Sequence, residues 1–139
     1  MNIRKTIPVG ISFFVALFAV SLAWSAGNGR LINLEPTEAY PAASGNALID
    51  DRHVSVQARG LAPDAVFTVW FVNTKPKKHE TGAGQPPYMF KTDAWGNGSY
   101  SATLSEKPFD KWAMVMIVQH PNGDPKDMKN IVGALKAML

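Results

Sequence analysis

The sequence predicts an all-β domain, an immunoglobulin-like antiparallel β-sandwich of about seven or eight short strands, placed after an N-terminal signal peptide. Three observations carry this. Apolar and polar residues alternate in several short runs, which is the period of a strand. Gly, Pro or Asn stands between those runs. No long run repeats with the helical period of about 3.6 residues.

Each element has its own warrant. Arg30, Leu31, Ile32, Asn33 and Leu34 form a first strand, with loop residues such as Glu35, Pro36 and Pro41 after it. Ser44, Gly45 and Asn46 turn the chain before Ala47, Leu48 and Ile49. Over 53–59, Val54, Val56 and Ala58 take one face, and Ser55, Gln57 and Arg59 the other. Gly60, Pro63 and Asp64 close that strand. Over 65–72 both faces are largely apolar: Phe67, Val69 and Phe71 against Val66, Thr68, Trp70 and Val72. Such a strand is central and covered on both sides, or offers one face to a partner. Residues 73–87 read as a long connection, and connections of that length are often functional. The strands at 88–92 and 100–104 are expected to pair as a hairpin across Asn97 and Gly98, because Asn-Gly suits the positive φ angles of a tight turn. A long strand spans 112–120, and Asn122, Gly123, Asp124 and Pro125 turn the chain. Residues 131–135 form a last strand or a short helix, since Ala, Leu, Lys and Met favour helices.

Residues 1–25 read as the signal peptide and 26–139 as a single domain. Arg4 and Lys5 precede an uncharged run containing Phe13, Phe14, Val15, Leu17, Phe18 and Val20. Ala23 and Ser25 are the small residues that a signal peptidase requires, which sets the cut before Ala26. The competing reading is an uncleaved anchor, for which the run is short of the roughly 20 residues that span a bilayer. N-terminal sequencing of the exported protein checks the point, and an intact Met1 would contradict cleavage. Export places the domain in the periplasm or outside a bacterial cell.

The chain has 14 basic and 11 acidic residues, a net charge of +3. Arg4 and Lys5 supply two of those charges, so the mature domain is near +1, and that balance argues against a nucleic-acid partner. There is no cysteine, which excludes disulfides, thiolate metal sites and cysteine nucleophiles.

The order of these pieces resembles the outer domain of anti-sigma-K-type regulators. The resemblance rests on Val54 and Val56 leading to Gly60, Leu61 and Pro63, then Phe67, Val69, Trp70, Phe71 and Val72. It continues through Phe90, Thr92, Asp93 and Gly96, and through Val115 and Ile117 into Pro121–Pro125 (121–125), Val132, Gly133 and Leu135. It implies the sandwich fold. Six residues before the apolar run leave no sigma-binding segment like the one those regulators carry, so the resemblance implies a free exported domain instead.

Several residues have the chemistry of a site. Met114, Met116 and His120 share one strand face, and thioether with imidazole suits copper. The same methionines fill a core equally well, and His120 then caps the strand. Asn122, Asp124 and Asp127 offer oxygen ligands in one loop, or else cap its turns. Lys75, Lys77, Lys78 and His79 form a small basic patch, or a solvated loop. Trp95 sits in a turn where it need not be buried, and with Trp70, Tyr88 and Trp112 it suggests a sugar or peptide platform. No catalytic motif is present: neither G-x-S-x-G nor H-E-x-x-H occurs, and no Gly-rich phosphate loop. The sequence therefore predicts a non-enzymatic exported domain that binds or senses an envelope protein or other envelope component without a cofactor. A periplasmic copper-binding protein is the alternative.

Overall fold

The structure, a computed structural model, describes residues 29–139. The expected signal peptide and its cleavage point lie outside the described residues. The described chain is all-β, with nine antiparallel strands and no helix. They are β1 (Arg30–Pro36), β2 (Ser44–Ile49), β3 (His53–Arg59), β4 (Val66–Asn73), β5 (His79–Gly82), β6 (Met89–Lys91), β7 (Gly98–Thr103), β8 (Met114–His120) and β9 (Val132–Met138).

The strands form a curled sheet in the order β5-β4-β8-β9-β1-β2-β3-β7, with β6 beside the first half of β4. β1 joins the two halves. Its residues 30–34 pair with β2, and Glu35 and Pro36 pair with β9. The curl lets one face of each half contribute to a single core. Val54, Val56 and Ala58 enter it from β3, Phe67, Val69 and Phe71 from β4, and Val115 and Ile117 from β8. Burying a side chain of this size contributes roughly 1.5–3 kcal/mol. Phe67 anchors the aromatic part, stacked on Phe90 at 5.6 Å and edge-on to Tyr40 at 6.2 Å.

Four expectations need correction. Residues 44–46 belong to β2, because they pair with Gln57, Ala58 and Arg59. The 73–87 connection contains β5, which completes the second edge of β4. Glu35 and Pro36, expected as loop, belong to β1, because they pair with Lys136 and Leu135. The last segment takes the first of its two expected forms, strand β9, held between β8 and β1. The expected hairpin does not form: β6 pairs with β4, and β7 pairs with β3. The turn between them is a corner of the curl. Its positive φ falls on Gly96, at 81°, where a Cβ would strike the Leu61 carbonyl.

Candidate functional site

The outer face of β4 and β8 is the apolar second face that the sequence shows at 65–72. Register sets Trp70 opposite Met116, and Val72 opposite Met114. Two connections fold over one end of this face. One carries Pro86, Pro87 and Tyr88, and the other Pro125, Lys126 and Met128. Between them lies a cleft of about 600 Å³ floored by Trp70. That volume lies within the usual range of small-molecule sites. Its walls are apolar apart from Lys126, the one charged group in its lining.

The floor is fixed by a chain of hydrogen bonds. Trp70 Nε1 donates to Thr68 Oγ1 at 2.7 Å, and Thr68 Oγ1 lies 2.7 Å from His120 Nε2. His120 Nδ1 lies 3.1 Å from the Asp127 carbonyl oxygen. A carbonyl only accepts, which assigns a hydrogen to Nδ1 and leaves Nε2 to accept from Thr68. Thr68 and His120 are buried, at 0% and 1% exposure. The bonds therefore join β4, β8 and the 121–131 loop beneath the cleft.

The wall is fixed differently. Tyr88 has a φ of 64°, a left-handed conformation that bulky residues rarely adopt. Its N–H donates to Gln85 O at 2.9 Å, and its carbonyl accepts from Val69 N at 3.1 Å. The conformation lays its ring across Gly82, where any Cβ would collide with it, and 5.3 Å from the Trp70 ring.

The residues expected to carry chemistry are placed as follows. His120 has both ring nitrogens engaged, so a metal there would have to displace Thr68 or the Asp127 carbonyl. Met114 and Met116 lie on the outer face beside Val72 and Trp70. Met116 is four residues from His120, about 13 Å along an extended strand. Among the described residues, no group of three His, Asp or Glu side chains could hold a metal ion. Asn122, Asp124 and Asp127 are turn staples. Asn122 Oδ1 accepts from Asp124 N at 3.0 Å, and Asp124 Oδ1 from Lys126 N at 2.9 Å. Asp127 Oδ1 accepts from Lys129 N at 2.9 Å, and Oδ2 accepts from the Asn122 and Asn130 amides. The Lys129 N–H, then those two amides, hold the Asp127 carboxyl below its ordinary pKa. These bonds shape the wall that carries Pro125, Lys126 and Met128.

Lys75, Lys77, Lys78 and His79 are all exposed, and Lys78 Nζ lies 3.7 Å from Glu80. Trp95 is 81% exposed, the most exposed large apolar side chain described. The cleft was not visible in the sequence as a unit, although Trp70 and Tyr88 were. Its one local signal is Pro86 and Pro87 beside Tyr88; Trp70 and Pro125 stand in separate segments of the sequence.

Comparison of the chain with protein-family models, with curated proteins and with solved structures gives no match.

Proposed function

We infer that this chain is an exported, non-enzymatic binding domain of the bacterial envelope, an immunoglobulin-like sandwich whose ligand sits in the Trp70 cleft. One observation carries the reading. Tyr88 is held in a strained conformation whose ring stays outside the core and stands against Trp70 as a wall. Strain of this kind persists where the surroundings over-determine it, and it gathers at ligand sites. A rigid aromatic cleft also lowers the ordering cost of binding. The single cation in its lining favours a ligand with an apolar body and an anionic group. In this reading His120, Asn122, Asp124 and Asp127 support the cleft from below and behind.

The minimal probe is 3-phenylpropionate, with its neutral amide as the control. Two-dimensional NMR of the purified protein should show the Trp70 indole N–H and the Lys126 amide shifting with the acid. The amide should bind more weakly, and Lys126→Ala should remove the difference. Shifts scattered over the surface, or none at millimolar probe, would reject the cleft as the site.

A further inference from the structure

We propose a second site, independent of the cleft: a groove on the opposite half of the sheet that binds a neutral polysaccharide, with Trp95 as its stacking platform. The groove has a volume of about 740 Å³. Its floor is the outer face of β2, β3 and the start of β7. Because Ala47, Val56 and Ala58 point into the core, their neighbours Asn46 and Gln57 point out. Register places Asn46 beside Gln57, and Gln57 beside Ser99, so amide, amide and hydroxyl form one row across three strands. Gln57 and Ser99 are exposed and Asn46 is half-buried. In the next row Arg59 Nε donates to Ser44 Oγ at 3.2 Å.

The far wall is the corner between β6 and β7, which supplies Asp93 and Asn97 to the lining. Trp95 stands on the same corner, exposed and outside that lining. This corner is rigid. Asp93 Oδ1 accepts from Trp95 N and Asn97 N, both at 2.9 Å. Asp93 N donates to Asn97 O at 2.8 Å, and Leu61 N to Gly96 O at 3.1 Å. Tryptophan is usually well buried in folded proteins, so one at 81% exposure on a fixed corner is unusual.

The chemistry of the groove selects the ligand class. Each amide both donates and accepts, as each sugar hydroxyl does. The charged groups in the lining balance, with Arg59 and Lys91 against Asp64 and Asp93, so the groove does not favour a charged chain. An indole face offers apolar contact to the C–H face of a pyranose while its rim stays wet. The volume exceeds what one sugar ring needs, and the backbone that carries the platform is already fixed by the Asp93 bonds, so no loop has to be ordered on binding.

The test uses the purified protein with two neutral probes, a cellulose-type and a chitin-type hexasaccharide, by titration calorimetry and tryptophan emission. At least one probe should bind with a blue shift in emission. Trp95→Ala should remove that shift and weaken binding at least about tenfold, equivalent to ~1.4 kcal/mol. Gln57→Ala should weaken binding several-fold, and both variants should melt as the parent does. No binding of either probe at millimolar concentration would overturn the proposal, as would binding that survives Trp95→Ala. So would an extended peptide that occupies the groove when neither sugar does. A negative result leaves the cleft reading intact, since Trp70 lies on β4 in the other half of the sheet and has its own probe.

Discussion

Thr68 is a small side chain with a large share in the candidate site. Its hydroxyl is the only link between the Trp70 indole and the His120 ring in the bonded chain. Thr68→Val keeps the shape of the side chain and removes that hydroxyl. The His120 Nε2 would then lack its partner in a buried setting, and the half-buried Trp70 indole N–H would lose its acceptor. An unsatisfied buried polar group costs roughly 1–3 kcal/mol. The variant should therefore lose about 2 kcal/mol in urea unfolding, and Thr68→Ser should recover most of it. A Thr68→Val protein as stable as the parent would show that the chain of bonds does not hold the floor. The aromatic neighbours alone would not explain such a loss, because valine preserves their packing.

At the scale of strands, β5 owes its place in the site to one residue. Gly82 pairs with Trp70 and leaves open the space that the Tyr88 ring occupies. Gly82→Ala should push that ring off Trp70 while leaving the ladder hydrogen bonds in place. Binding of 3-phenylpropionate should fall several-fold, with a change in near-ultraviolet circular dichroism and only a modest change in melting temperature. Unaltered binding and aromatic signal would show that Tyr88 is not the wall. β5 also shows why part of the fold was hidden. β3, β4 and β8 were legible because period two is a local property, fixed by which side chains face the core. β5 has no such signature: its residues His79, Glu80, Thr81 and Gly82 are polar or small, and its pairing depends on β4. The expected hairpin failed for a related reason. Asn97 and Gly98 have the composition of a tight turn, but Gly98 lies against the Phe90 ring, and Phe90 stacks on Phe67. That packing commits β6 to β4, and the chain turns at Gly96 instead. The cleft was illegible as a unit because Trp70, Tyr88, Pro125 and Met128 come from separate segments that only the curl brings together.

The curl as a whole depends on turns that tie distant strands, and carboxylates fasten several of them. Asp93 pins the corner between β6 and β7, Asp127 pins the loop under the cleft, and Asp50 pins the turn from β2 to β3. The Asn97 N–H, then the Trp95 N–H, hold the Asp93 carboxyl below its ordinary pKa. For Asp127 the Lys129 N–H comes first. At Asp50 slight burial acts upward, and the N–H groups of Arg52 and His53 overcome it, so its pKa is lowered as well. A carboxyl with a folded pKa below its unfolded value of about 3.9 contributes fully above that value. The contribution is lost as the pH falls through the folded pKa. All three shifts have the same sign, so together they predict an acid limb: the melting temperature should drop as the pH falls below about 4. Asp93→Asn separates this from general acid effects. Asparagine keeps an oxygen acceptor at the corner but binds no proton in this range. The parent should melt above the variant at neutral pH, and the gap should close on acidification. A gap that stayed constant from pH 7 to pH 2 would mean that the ionised carboxylate adds nothing to the corner beyond its shape.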